Sequence, residues 1–342
     1  MRAMRRALVA AAMLGSCGMP TAGAAGDEAA ASVPVPAIVY SVGGKFDGSF
    51  NESAFAGVTR FKAETGGGVR EFEIVRDAQS LQALRTFAGH GYAPIVAIGF
   101  NQASAMEQVA HEFPERSFAI VDMVVDAPNV ASYVFQEQEG AYIAGVLAAM
   151  ATKSGTIGFV GGMDIPIIRR FLCGYRQGAA SVGGDVKVVF NMAGDTPAAF
   201  ADSARGAELA RAQIDQGADV IIQAAGGTGL GVLQAAADAG ILGIGTDSNQ
   251  NGLHPGHVLT SIRKRVDNAV FESFMAARDG RFKPGIRVLG LADGGMDWVL
   301  DKNNAKLITP EMKAAAERAV AGISAGTIKV HDVVADGACP LE

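Results

Sequence analysis

From residue 37 to residue 291 short apolar runs alternate with longer amphipathic stretches, and this alternation limits the fold more than any other feature. The runs AIVYS (37–41), EFEIV (71–75), PIVAIG (94–99) and SFAIVD (117–122) come first, followed by TIGFVG (156–161) and DVKVVF (185–190). DVIIQAA (219–225), LGIGTD (242–247), HVLTS (257–261) and RVLGL (287–291) complete the set. Helical patterns are expected over 52–65, 79–90, 101–112, 137–152, 166–181, 204–216, 229–239, 263–279 and 310–321. The apolar runs are continuous, which predicts strands covered on both faces. Strands separated by helices of about 10–15 residues predict parallel βαβ units. The pattern divides near residue 135, so two doubly wound α/β lobes are expected, each aiming its strand C-termini at a crevice. Polar residues at those ends are the site candidates: Ser41, Asn101, Asp122, Asp247 and Ser261, with turns at Gly43–Gly44, Gly161–Gly162 and Ala225–Gly226 and the loop holding Phe200.

Length and composition agree with two domains. The 342 residues are 49% hydrophobic and 19% charged, with 44 glycines, which argues for a compact chain with tight turns and against disorder. A net charge of −6 argues against nucleic acid as a partner. The first residues read as a secretory signal: a basic MRAMRR, a short apolar ALVAAAML, then small residues. Two processing routes compete, ordinary cleavage after Ala24 and lipidation at Cys17 in LGSC. Cleavage after Ala24 removes Arg2, Arg5 and Arg6 and takes the charge from −6 to −9. Residues 26–35 read as a flexible leader. The mature protein is expected in the periplasm, or tethered at its N-terminus through Cys17. Cys173 and Cys339 then remain as an even pair in an oxidising compartment, either bridged, pinning the tail to the helix around FLCGY, or as two free thiols.

Several chemistries lack their signatures. GGTGLG (226–231) follows a strand, but Val232 stands where a dinucleotide fingerprint needs its last glycine; a tight strand-to-helix turn accounts for it equally. His254 and His257 have no cysteine or acid cluster nearby and read as surface residues. No nucleophile elbow and no acid–base carboxylate pair stands out. No catalytic residue, metal or cofactor is therefore expected. What remains suits a small polar aromatic molecule. Phe50 and Phe200 offer rings for stacking, and Asp122 and Asp247 end strands in different lobes. Lys264 can donate to a sugar hydroxyl and offset the acids. Each residue alone has a plainer reading, as core or helix cap.

DGSFNESAFAG (47–57) closely resembles the Asp-x-Ser-Phe-Asn signature of the basic membrane protein family of substrate-binding proteins. GFVGGMDIPIIRRFLCGYRQGA (158–179), GADVIIQAAGGTGLGV (217–232), GTDSNQ (245–250) and LTSIRKRVDNAV (259–270) are similar to its later motifs, in order, over roughly 37–325. The resemblance implies a type I periplasmic binding protein fold, two lobes joined by a hinge of about three strands, and service to an ABC importer. Most characterised members bind purine nucleosides; some take riboflavin. Carried over by motif, Phe50 is the stacking ring and Asn51 its neighbour. Asp122 is the base-reading acid, Asp247 the ribose acid, Lys264 the ribose lysine, Phe200 the second ring, and Gly226 a close backbone approach. Nucleoside-binding members usually have Asp where this chain has Ser41, which opens the identity of the base.

The resulting expectation is a signal peptide at 1–24, a first lobe of 36–134 and 262–283, and a second of 135–261 and 284–342. The protein is expected to be a monomeric receptor that closes on a nucleoside-like ligand and passes it to a permease and its ATPase in the inner membrane. The rivals are the same receptor for another heteroaromatic such as riboflavin, a secreted enzyme acting on nucleosides, and a sensor feeding a membrane receptor.

Overall fold

The structure is a computed structural model that describes residues 34–341; the signal peptide, Cys17, Ala24 and most of the leader lie outside the described residues. The first lobe starts with strand β1 (Ala37–Tyr40), helix α1 (Phe50–Thr65) and β2 (Arg70–Glu73). It continues through α2 (Ser80–Gly89), β3 (Ile95–Ile98), α3 (Ala103–Glu112), β4 (Phe118–Val121) and β5 (Val130–Phe135). The second lobe holds α4 (Glu137–Ala151), β6 (Thr156–Met163), α5 (Pro166–Ser181), β7 (Lys187–Gly194) and α6 (Ser203–Ile214). β8 (Val220–Ala224), α7 (Thr228–Asp238), β9 (Leu242–Asp247) and β10 (Val258–Lys264) follow. The chain then returns to the first lobe for α8 (Val266–Arg278) and β11 (Gly285–Leu289) and ends in the second with β12 (Met296–Trp298) and α9 (Pro310–Ser324).

The first sheet runs β2-β1-β3-β4-β5-β11, all parallel. The second runs β7-β6-β8-β9-β10-β12, parallel except for β12, which is antiparallel to β10. Both are doubly wound, with the strand order reversing between β1 and β3 in one lobe and between β6 and β8 in the other. Ligands bind outside the strand C-termini at such reversals. Ile38, Val96 and Val121 are fully or almost fully buried under the covering helices, each gaining about 1.5–3 kcal/mol from leaving water.

Two strands were not expected. β5 reads VASYVF, with Ser132 and Tyr133 breaking its apolar run, and only Gln136 separates it from α4. β12 has three residues, too few to pattern. β2 was read as covered, yet as an edge strand it is largely exposed. The lobe boundaries also shift. β11 pairs with β5, so the first lobe runs to Leu289 and not to 283; β10 pairs with β9, so the second lobe runs to Lys264 and not to 261. No sequence pattern says which sheet a strand joins.

Helices α4 and α5 nearly touch backbone to backbone. A Cβ on Gly174 would lie 2.2 Å from Gln138 O, one on Gly178 would lie 2.0 Å from Tyr142 O, and one on Gly145 would lie 2.1 Å from Tyr175 O. Glycine spacing on both helices therefore sets their approach. On its far side α5 holds the tail: Cys173 is bonded to Cys339, Arg170 donates from Nε and Nη2 to the two carboxylate oxygens of Asp332 at 2.8 and 2.9 Å, and Gln177 bonds the His331 backbone. No helix among the described residues is long and apolar enough to cross a membrane.

Candidate binding cleft between the lobes

The turn after β1 carries Asp47, whose carboxylate accepts from the backbone N–H groups of Ser49 (2.9 Å), Asn51 (3.0 Å) and Glu52 (3.0 Å). It caps α1 from outside the helix and fixes Phe50 as the first helical residue. Burial pushes the Asp47 carboxyl above its ordinary value, and those three N–H groups pull it only part of the way back. Asn51 spends its amide on the chain: its Oδ1 accepts from Ser41 N at 3.0 Å and its Nδ2 donates to Ser41 O at 3.3 Å. Asn51 thus ties the end of β1 to the start of α1.

Ser41, Phe50, Asn51, Asp122, Phe200, Gly226, Asp247 and Lys264 all line one cavity of about 70 Å³, measured as the space open to the centre of a water molecule. One water needs about 10–15 Å³ on that measure, so the cavity has room for several waters or a small organic molecule. Both lobes contribute. Phe200 lies directly on the backbone of Gly162, where a Cβ would sit 2.2 Å from the ring. Gly226 adopts φ 56°, and a Cβ there would come within 3.1 Å of Phe200 O.

The hinge end of the cavity is ionic. Lys264, 2% exposed, places Nζ 2.6 Å from Asp122 Oδ1 and 2.9 Å from Glu137 Oε1. Arg170 reaches Glu137 from the far side at 3.5 Å. Burial alone would lower the Lys264 pKa, but the carboxylates of Asp122, Glu137 and Asp247 outweigh it and hold the ammonium above its ordinary value. Burial raises the carboxyls of Asp122 and Glu137, against the pull of Lys264. Asp122 and Asp247 are the non-glycine residues with left-handed backbone among those described, at φ 72° and 67°. Such a conformation costs about 1–3 kcal/mol, and aspartate is among the residues that tolerate it. Each therefore turns its carboxylate off the strand end into the cleft.

The lobes touch across the cleft. Ser49 Oγ donates to Asp247 Oδ2 at 2.7 Å, Ser248 Oγ to Ser49 O at 2.7 Å, and Gln250 Nε2 to Gly48 O at 2.8 Å. Asp247 thus holds the lobes together with one oxygen and keeps the other for the cavity.

Reading strand ends missed part of the lining. Phe100 stands edge-on to Phe200, with centroids 6.4 Å apart; it follows IVAIG, where only Asn101 drew notice. Thr246 sits one residue before Asp247 and is fully buried, and its hydroxyl has no hydrogen-bond partner among the described residues. Ile165, Ile168 and Phe171 add an apolar wall from the start of α5. Glu137 carries no motif; it enters the ion cluster because α4 begins directly behind β5.

Residues 35–329 match the family of ABC transporter substrate-binding proteins described as PnrA-like. The chain belongs to this family. Among its relatives, the ABC transporter nucleoside-binding protein BmpA of Lactococcus lactis is 36% identical over 318 residues, covering 86% of this chain and 88% of that protein. A lipoprotein of Pyrococcus abyssi is 34% identical over 283 residues, covering 78% of this chain and 69% of that protein. A solved ABC transporter solute-binding protein from Aeropyrum pernix superposes with TM-score 0.80 at 29% identity, over 87% of this chain and 94% of that one. One from Conexibacter woesei, at 21% identity and TM-score 0.72, over 87% of this chain and 99% of that one, is alike in fold. In this PnrA-like protein Ser41 Oγ contacts Asn101 Oδ1 at 3.2 Å, and no carboxylate ends β1.

Proposed function

We propose that the chain is the periplasmic receptor of an ABC importer and that it binds a nucleoside-like ligand between its lobes without transforming it. The observation that carries this reading is the buried set of Asp122, Lys264 and Asp247 at the hinge end of a cavity flanked by Phe50, Phe100 and Phe200. Asp247 offers a free carboxylate oxygen, Lys264 an N–H, and Thr246 an unpartnered hydroxyl, a set suited to the adjacent hydroxyls of a ribose. Asp122 is bound to Lys264, so its role falls at the sugar, although its motif associates it with the base. The base then extends away from the hinge, along the first sheet. Ser41 follows β1, two strand steps from Asp122 after β4, or about 10 Å at the usual strand spacing, which is the length of a nucleoside. Phe50, Phe100 and Phe200 flank that path, and stacking a base on such rings stabilises it by about 1–3 kcal/mol per contact.

Carboxylates outnumber cations around the cavity: Asp47, Asp122, Glu137 and Asp247 face Lys264 and an Arg170 that Asp332 shares. A phosphate would be repelled, which favours nucleosides over nucleotides. Membership of a family of binding proteins and the name of the Lactococcus relative support the receptor role and the ligand class. The export address follows from the signal-like start, and attachment at Cys17 from relatives named as lipoproteins. Function as a monomer, docking in closed form on a permease, completes the reading. It is tested by thermal shift on protein unfolded and refolded to strip ligand, against nucleosides, nucleoside monophosphates, free bases and riboflavin. Nucleosides should raise the melting temperature, while free bases and monophosphates leave it unchanged. A shift with riboflavin alone, or with bases as much as nucleosides, contradicts the assignment.

A further inference from the structure

The end of the cavity remote from the hinge is built from Ser41, Asn101 and a residue behind them, Asp77. Asn101 Nδ2 donates to Asp77 Oδ1 at 2.6 Å, and Ser41 Oγ lies 3.2 Å from Asn101 Oδ1. Ser41 and Asn101 line the cavity, while Asp77 stands outside it. A carboxylate only accepts hydrogen bonds, so Asp77 determines which way round the Asn101 amide sits: the NH2 group faces Asp77 and the carbonyl oxygen faces Ser41. That oxygen also only accepts, so the Ser41 hydroxyl proton points to it. Two acceptors are then left for a ligand, the lone pairs of Ser41 Oγ and the second lone pair of Asn101 Oδ1. Gly99 makes room for the pair. It adopts φ 107°, and a Cβ there would lie 2.8 Å from Asn101 Oδ1 and 3.2 Å from Ser41 Oγ.

We propose that the Asp77–Asn101–Ser41 chain selects heterocycles that carry an exocyclic amine, and rejects their oxo counterparts. An amine places its N–H groups against two neutral acceptors; a carbonyl in the same place would set oxygen against oxygen. The proposal rests on the nucleoside reading of the cleft and names the base that reading leaves open. Asp77 acts as a specificity-determining residue that never touches the ligand, because it holds Asn101 in one orientation.

The test is calorimetric titration of ligand-stripped protein with adenosine, inosine, cytidine and uridine, on wild type and on Asp77→Asn. In wild type adenosine should bind about tenfold or more tighter than inosine, and cytidine than uridine, since an acceptor that the ligand covers with another acceptor goes unpaired. In Asp77→Asn the new amide can accept or donate, Asn101 is free to turn over, and each ratio should fall to within about threefold. Equal affinity for amino and oxo partners in wild type overturns this proposal alone, and so does an unchanged ratio in folded Asp77→Asn. Failure of all four nucleosides to bind overturns the nucleoside reading, and this proposal with it.

Discussion

At the scale of single residues, the cleft is governed by where charge is buried. Burial pushes the Asp247 carboxyl above its ordinary 3.8, and Lys264 and the Ser49 hydrogen bond bring it only part of the way back. Asp122, Glu137 and Asp47, the other carboxyls facing the cavity or its ion cluster, are raised in the same way. A raised carboxyl takes up its proton at higher pH than a free one, and the protonated form gives up an acceptor. Ligand affinity should therefore weaken on acidification while ordinary carboxylates are still ionised. Calorimetry across pH would show it, and an affinity constant down to about pH 4 would contradict it. Much of this chemistry could be read in the sequence, because Asp122 and Asp247 close apolar strands and Phe50 follows a glycine turn. Phe100 and Thr246 stood beside residues that were chosen, and Asp47 opened a quoted motif without being singled out; what such neighbours do depends on backbone direction, which strand-end position does not carry. Asn51 shows the same limit from the other side, since its motif position is plain and its amide serves the backbone.

At the scale of elements, the sequence is most legible where one helix or strand carries its own signals. Helix α5 spans the residues that its pattern marks, with Pro166 at its first turn, whereas β5 and β12 depend on neighbours for their strand character. The union of α5 with the tail is a long-range feature that only cysteine parity foreshadowed. The Cys173–Cys339 bond joins positions 166 residues apart, next to the Arg170–Asp332 pair. Closing so long a loop restricts the unfolded chain, so Cys173→Ser with Cys339→Ser should lower the unfolding free energy by about 2–5 kcal/mol in urea titration. Wild type treated with reductant should lose a similar amount. An unchanged urea midpoint would show that the tail is held by its polar contacts alone.

At the scale of the whole molecule, the two lobes meet at the hinge and at the latch between Ser49 and Asp247, with the cavity between them. Glu137 and Lys264 lie where the chain passes between lobes, and their ion pair joins the hinge to the floor of the cleft. Closing the lobes over a ligand removes water from these contacts and strengthens them, which is how a receptor can hold a small molecule with no covalent step. The central claim is that such a ligand is bound and given back intact. It is tested most directly by incubating stoichiometric, ligand-stripped protein with radiolabelled adenosine, measuring saturation by equilibrium dialysis, and then denaturing the protein and separating the label by chromatography. The account predicts saturation at one adenosine per chain and recovery of all the label as adenosine. Absence of saturable binding, or label recovered as free adenine, would contradict it.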